Sequence, residues 1–318
     1  MPRISVLLSA LNAESFLPKA LDSIKFQTFE DWECIVTDDG SSDATRKILE
    51  GYSRPDPRFK VLTHDQPQGL TLSLIQSSQR AQGLFIARQD ADDWSEPTRL
   101  ERQMKLLDQK PELAAVGSRF AVHYPDGRYL DTVEGIVKPA AIGRLLWRRN
   151  PFAHGSMMFR RKVYDQLGGY RAPFRYAQDY DLLLRLSEVA PISAVDEVLY
   201  HHRLSTEGIG RMKSAQQSAY ANLARQCAGC RKRGLTEDLC FSSFREPDAA
   251  APPSRTADPI LLHLIKSGQQ KAAADYLARW RPVNADERTI KRGLSLLNAC
   301  PAPIRRALHA VYRLWLLR

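Results

Sequence analysis

Apolar residues along the first hundred positions follow two alternating rhythms. "RISVLLS" (3–9) is a short continuous apolar run, the mark of a strand buried on both faces. Leu17, Ala20, Leu21 and Ile24 then recur at helical spacing. "WECIVT" (32–37) predicts a second strand, and the turn-and-cap cluster "DDGSSD" at its end opens a helix over "ATRKILEGY" (44–52). "RFKVLT" (58–63) predicts a third strand, followed by a helix spanning roughly Leu70 to Ala81. "GLFIAR" (83–88) predicts a fourth, after which Ser95 and Pro97 start a helix carrying Leu100, Met104 and Leu107. Four strand–helix repeats predict an α/β fold with a mostly parallel central sheet flanked by helices. Ligands of such sheets lie beyond the carboxyl ends of the strands.

The middle of the chain is mixed. "LAAVGSRF" (113–120), "HGSMMF" (154–159) and "ISAVDEVLYH" (192–201) predict strands, and "YDLLLRLSEV" (180–189) predicts a helix. From Ser205 onward the pattern is helical where it is regular, and "SSFREPDAAAPPSR" (242–255) reads as a linker. The expected organisation is a catalytic-type α/β domain over 1–204 and a mainly helical region over 205–318. No run of about 18 apolar residues predicts a membrane-crossing helix. The apolar start reaches Asn12 and Glu14 too soon for a signal peptide.

Composition adds one asymmetry. The 318 residues are 43% hydrophobic and 26% charged, as in soluble globular proteins. Five scattered cysteines make no disulfide framework and suit reduced thiols in the cytoplasm. The net charge of +10 is not spread evenly: residues 1–204 hold 27 Lys+Arg against 27 Asp+Glu, and residues 205–318 hold 19 against 9. A neutral front and a basic rear suggest different partners for the two parts.

The candidate chemistry is acidic. Asp38 and Asp39 end the second strand, and "FIARQDADDWSEP" (85–97) sets Asp90, Asp92 and Asp93 at the end of the fourth, so both clusters should share one rim. Each has an ordinary reading, a solvated acidic turn or a set of helix caps. Together on one rim they also suit a hard divalent cation carrying a phosphorylated ligand, because Mg²⁺ and Mn²⁺ take oxygen from carboxylates and phosphates. Neither a GxGxxG nor a GxxxxGK[ST] turn is present, so a nucleotide's phosphates would be handled by metal.

Three blocks in order now carry a resemblance: "ISVLLSALNAESFLPKALDSIKFQTFEDWECIVTDDGSSDAT", "GLTLSLIQSSQRAQGLFIARQDADDWSEPTRLERQ", and "HGSMMFRRKVYDQLGGYR" followed by "YAQDYDLLLRL". Residues 4–204 closely resemble the GT-A glycosyltransferases of family 2, and the tail lies outside the match. The resemblance implies an inverting transferase using a UDP- or dTDP-sugar donor with Mn²⁺ or Mg²⁺. It implies that Ser9 and Asp39 hold base and ribose, and that Asp90, Asp92 and Asp93 hold ribose and the metal. Which of Asp92 and Asp93 touches the metal stays open. Asp179 matches the family's general base, although as a residue just ahead of a helix it also reads as a cap. The family's usual Glu before it is Gln178 here, which should lower the base's pKa. His154 falls where the family often has a polar residue facing donor or acceptor. In "YHHR" (200–203), His202 is a candidate metal ligand, with a surface histidine as the plain alternative. The QxxRW motif of processive members is absent, which implies one sugar per encounter.

Two features remain. "CAGC" (227–230) with Cys240 lacks a fourth nearby ligand for zinc. In the final helix pattern, Ile304, Leu308, Val311 and Trp315 form one stripe opposite Arg306, His309 and Arg313. That pattern suits peripheral contact of 303–318 with an anionic membrane, or packing on the domain. The expected acceptor is a saccharide or lipid-linked saccharide at the cytoplasmic face of the inner membrane, as in surface-polysaccharide assembly. A nucleic-acid-binding protein would also explain the basic tail, but no known module is present and no nucleic-acid partner is expected. A donor-binding scaffold without turnover would keep Asp39 and the acidic cluster and not depend on Asp179.

Overall fold

The structure is a computed structural model that describes residues 1–133, 135–204 and 214–247. The chain divides into two compact units, Met1–Gly208 with Gln217–Glu246, and Ile209–Gln216 with Pro247–Arg318. The candidate site belongs entirely to the first. The helical stripe expected within 303–318, and most of the linker expected over 242–255, lie outside the described residues.

The first four predicted strands form as β1 (Ile4–Ala10), β2 (Trp32–Asp38), β3 (Phe59–Thr63) and β4 (Phe85–Asp90). They lie in the order β3-β2-β1-β4, all parallel. The intervening helices are α1 (Leu17–Lys25), α2 (Thr45–Ser53) and α3 (Leu70–Arg80), and α4 (Arg99–Gln109) follows. Why the strands read as unbroken apolar runs is visible in the packing. Leu7 and Ile35 point into one core with Leu74 of α3, whereas Val6, Leu8, Cys34 and Val36 point into another with Leu17, Leu21 and Ile24 of α1 and Leu100 of α4. Alternate side chains therefore serve two cores, and the sheet is covered on both faces.

Beyond α4 the sheet becomes mixed. A two-residue strand, β5 (Trp94–Ser95), precedes α4, so that helix starts at Arg99 and not at Ser95. Strands β6 (Ala115–His123), β7 (Tyr129–Val133), β8 (Met158–Arg160) and β9 (Ile192–Arg203) complete the sheet. β8 joins β4 antiparallel, and β6 pairs β9 in parallel. The apolar stretch "HGSMMF" divides: His154–Ser156 is a 3₁₀ turn closed by the Ser156 N–H and hydroxyl on the Ala153 carbonyl, and only Met158 onward is strand.

Four short or irregular elements were not marked by the sequence pattern: β5, β7, α5 (Pro139–Leu146) and α6 (Arg161–Gln166). α7 (Gln178–Val189) follows a left-handed Ala177 at φ 54°. α8 (Ser214–Lys232) sets Leu223, Ala224, Cys227 and Ala228 into the core of α3 and α7, and α9 (Asp238–Ser243) adds Cys240.

Candidate active site

Register puts the acidic clusters on one rim. Ala10 pairs with Asp38, and Ser9 pairs with Asp90, so the β1, β2 and β4 termini stand side by side. Ser9 is partly exposed there.

Asp39 is 2% exposed and anchors a loop. Its carboxylate accepts the backbone N–H groups of Gln68 and Gly69, each at 2.8 Å, and the His64 Nδ1–H at 2.7 Å. Its neighbour Gly40 (φ 78°) lies so close to this loop that an added Cβ would stand 2.8 Å from the Gln66 carbonyl carbon. The other nitrogen of His64 faces Gln76 Oε1 at 2.6 Å. Burial opposes charge on this ring, but the bonds to Asp39 and Gln76 outweigh it and raise its pKa.

The three carboxylates after β4 have three different environments. Burial opposes ionisation of Asp90, but the adjacent Arg88 guanidinium holds its carboxyl below the usual range. Arg88 is itself wholly buried and spends Nη1 on the Leu7 and Gln89 carbonyls. Asp93, 1% exposed, accepts three hydrogen bonds: from the Tyr200 hydroxyl at 2.8 Å, from the Arg203 backbone N–H at 2.7 Å, and from His202 Nδ1 at 3.1 Å. Among the described residues Asp92 makes no such hydrogen-bonded ion pair, and the charge of His202 only partly offsets its acidic neighbours. Burial and the charges of Asp93 and Asp90 push its carboxyl up to about 7. Burial works against charge on His202, but Asp93, Asp92 and Asp90 push it up to about 9.

The 3₁₀ turn closes the site from the side of β8. Arg99, fully buried, donates Nη1 to the carbonyls of Arg88 (3.0 Å) and Gly155 (2.8 Å), tying α4 to β4 and to the turn. At Gly155 an added Cβ would collide with the Tyr200 hydroxyl and come within 2.8 Å of Asp90 Oδ2. His154 shares a 2.7 Å hydrogen bond with the Tyr170 hydroxyl, and burial and Arg88 push its pKa down to about 3, so the ring is neutral.

Asp179 is the second residue of α7, and its Oδ2 accepts Asn150 Nδ2–H at 2.7 Å. Burial and the charge of Asp90 raise its pKa, while Asn150 and the free N–H groups of the helix start pull the other way. Asp90 thus lies within electrostatic reach of Asp179, His202 and Asp92 alike.

Residues 5–168 match the model of glycosyl transferase family 2. The chain belongs to that family. Over 245 residues, covering 76% of this chain and 92% of the relative, this glycosyltransferase is 29% identical to the O-antigen biosynthesis glycosyltransferase WbnJ of Escherichia coli. Two solved structures share the GT-A fold. One is S. aureus TarS 1–349 in complex with UDP, at TM-score 0.61 and 16% identity over 98% of this chain and 91% of that one. The other is the mannosyltransferase PcManGT from Pyrobaculum calidifontis in complex with GDP-Man and Mn²⁺, at TM-score 0.57 and 17% identity over 97% and 84%.

As a glycosyltransferase of this family, the chain sets Ser9, Asp39 and Asp90 at the adjacent ends of β1, β2 and β4, with Asp92 and Asp93 in the turn that follows and His202 of β9 hydrogen-bonded to Asp93, while Asp179, on α7, lies within electrostatic reach of Asp90. Among the described residues no group of three or more His, Cys, Asp or Glu side chains forms a ready-made metal cage. Cys230 and Cys240 do meet, with sulfurs 3.4 Å apart, but they belong to the α8–α9 packing. Sequence reasoning missed Arg88, Tyr200, Gly155 and Asn150. Arg88 and Asp90 share a strand face at period two, a signal that was available; Asn150 is 29 residues from Asp179 and left none.

Proposed function

We propose that this glycosyltransferase moves one sugar, with inversion, from a nucleotide-diphosphate sugar to an acceptor hydroxyl, with Mn²⁺ or Mg²⁺ as cofactor. The observation that carries this reading is the acidic turn at the strand-end rim, where Asp92 stands beside Asp90 and the fully committed Asp93, and where burial and these two charges push its carboxyl up to about 7. Such a group fits a divalent cation, and an incomplete set of protein ligands suits an ion that shares a diphosphate's oxygens. A bound cation would neutralise the charge growing on the leaving diphosphate.

In this reading Asp92 is the principal ligand, and Asp93, already committed to three donors, keeps the turn rigid. His202, once neutral, would offer its second ring nitrogen to the same cation. Ser9, Asp39 and Asp90 border the base and ribose. Asp179 takes the proton from the acceptor oxygen as it attacks the anomeric carbon opposite the diphosphate, and the single displacement inverts the centre. TarS with UDP and PcManGT with GDP-Man and Mn²⁺ support both the donor class and the cation. A uridine or thymidine diphosphate donor remains our first choice.

WbnJ's role in O-antigen biosynthesis supports an acceptor from surface-polysaccharide assembly, free or lipid-linked. The exposed segment Trp147-Arg148-Arg149, two residues of it cationic, leads directly to Asn150 and suits an anionic acceptor. No helix among the described residues is long and apolar enough to cross a membrane. Peripheral attachment at the cytoplasmic face through the basic region 205–318, separate in role from a catalytic 1–204, belongs to the same proposal. The test is release of nucleoside diphosphate from a panel of UDP-, dTDP- and GDP-sugars, with Mn²⁺ or Mg²⁺ and with EDTA. Turnover that EDTA abolishes and Asp179→Asn removes supports the reading. Turnover unaffected by EDTA would remove the metal, and full activity in Asp179→Asn would remove the base.

A further inference from the structure

Asn150 sits in the loop that follows α5, in a bond network that fixes which way its amide points. Its Oδ1 accepts the Phe152 backbone N–H at 3.0 Å. That commitment turns Nδ2 toward Asp179 Oδ2, at 2.7 Å; flipping the amide would break the first bond and set oxygen against oxygen in the second. The loop is tied to the same helix that carries Asp179. The Tyr180 hydroxyl, one residue on, donates to the Leu146 carbonyl, and Arg225 of α8 reaches both that hydroxyl and the Arg148 carbonyl at 3.4 Å. Asp179 and Asn150 are therefore held in one frame from two sides.

The chemistry of the pair is one-directional. An amide N–H stabilises a carboxylate over a carboxylic acid, and it adds no second proton acceptor. Burial and Asp90 both favour the protonated acid at Asp179, and a base must be ionised to act. Gln178, next to it, is also an amide, so no second carboxylate competes for the proton from that position.

We infer that Asn150 is a positioning residue that keeps Asp179 ionised and aimed at the acceptor hydroxyl. This rests on Asp179 being the base. The alternative is that Asn150 only closes its own turn through Phe152. Asn150→Asp separates the two, because it retains an acceptor for the Phe152 N–H while replacing the donor to Asp179 with a like charge. The experiment is the pH profile of kcat and kcat/KM for nucleoside diphosphate release by the full chain with Mn²⁺, using the sugar nucleotide that supports turnover and water as acceptor. With Asn150→Ala we expect kcat to fall about tenfold or more, donor KM to stay within about twofold, and the acid limb to move to higher pH. Asn150→Asp should move that limb further while melting near the parent temperature. Unchanged limbs and kcat in both variants, with only a lowered melting temperature in Asn150→Ala, would overturn the inference. Full activity in Asp179→Asn would instead overturn the base on which it depends.

Discussion

The Tyr200 hydroxyl donates to Asp93 Oδ2 at 2.8 Å and accepts the Asp90 backbone N–H at 3.2 Å, so one phenol joins β9 to both ends of the acidic turn. The ring is fully buried and lies against Gly155, and its pKa is raised far beyond physiological pH by burial and the two aspartates. The proton therefore stays on the oxygen, where Asp93 needs it. Tyr200→Phe should leave the Asp90 N–H without its acceptor and cost about 1–3 kcal/mol of stability. Melting curves check this, and an unchanged melting temperature would contradict it.

Gly155→Ala should be worse than its single methyl suggests. The added carbon would meet the Tyr200 hydroxyl and approach Asp90 Oδ2, and Tyr200 is fully buried while Asp90 is held by Arg88. A loss of about 1–3 kcal/mol is expected from overpacking, together with weaker donor binding. Comparison with Gly143→Ala, where nothing lies within 4 Å of the added carbon, provides the control.

His64 makes stability depend on pH. Burial lowers its pKa, but its bonds to Asp39 and Gln76 raise it overall, so the folded state binds this proton more tightly than the unfolded chain does. The stabilisation is then fully present below the unfolded histidine value of about 6.5 and is lost as pH rises through the higher folded value. The melting-temperature advantage of the parent over His64→Gln should shrink from pH 6 upward. A constant difference across that range would contradict the ion pair.

The two adjacent aspartates should separate cleanly. Asp93→Asn disturbs three hydrogen bonds to a buried carboxylate and should destabilise the cation-free protein by about 1–3 kcal/mol. Asp92→Asn removes a crowded charge and should leave the cation-free melting temperature unchanged or raised, while abolishing the response to Mn²⁺. The reverse pattern would move the metal from Asp92 to Asp93.

How far the sequence alone reaches depends on how local each signal is. The first four strands and α1 to α4 announce themselves because each buries a continuous or 3.6-periodic apolar set, and their boundaries fall within a few residues of expectation. The shared rim of Asp38 and Asp90 follows from parallel order, which the βα alternation implies. β5 and α6 are two and six residues long and carry too few positions for a period to show. "HGSMMF" reads as strand because its apolar content is right, but Gly155 is needed bare beneath Tyr200, and the turn that brings it there leaves no apolar trace. The role of Asp39 is the clearest case of hidden context. Its position was legible, yet its three donors come from a loop some 25 to 30 residues away.

The measurement that tests the metal-dependent donor site most directly is thermal-shift titration of the full chain and of Asp92→Asn. Both are titrated with UDP-, dTDP- and GDP-sugars, in Mn²⁺ and in EDTA. A ligand at a hundred times its dissociation constant adds about 2.7 kcal/mol, a readily seen shift. The expected result is a shift with one class of sugar nucleotide that requires Mn²⁺ and disappears in Asp92→Asn. A shift of equal size in EDTA, or none with any sugar nucleotide, would contradict the site.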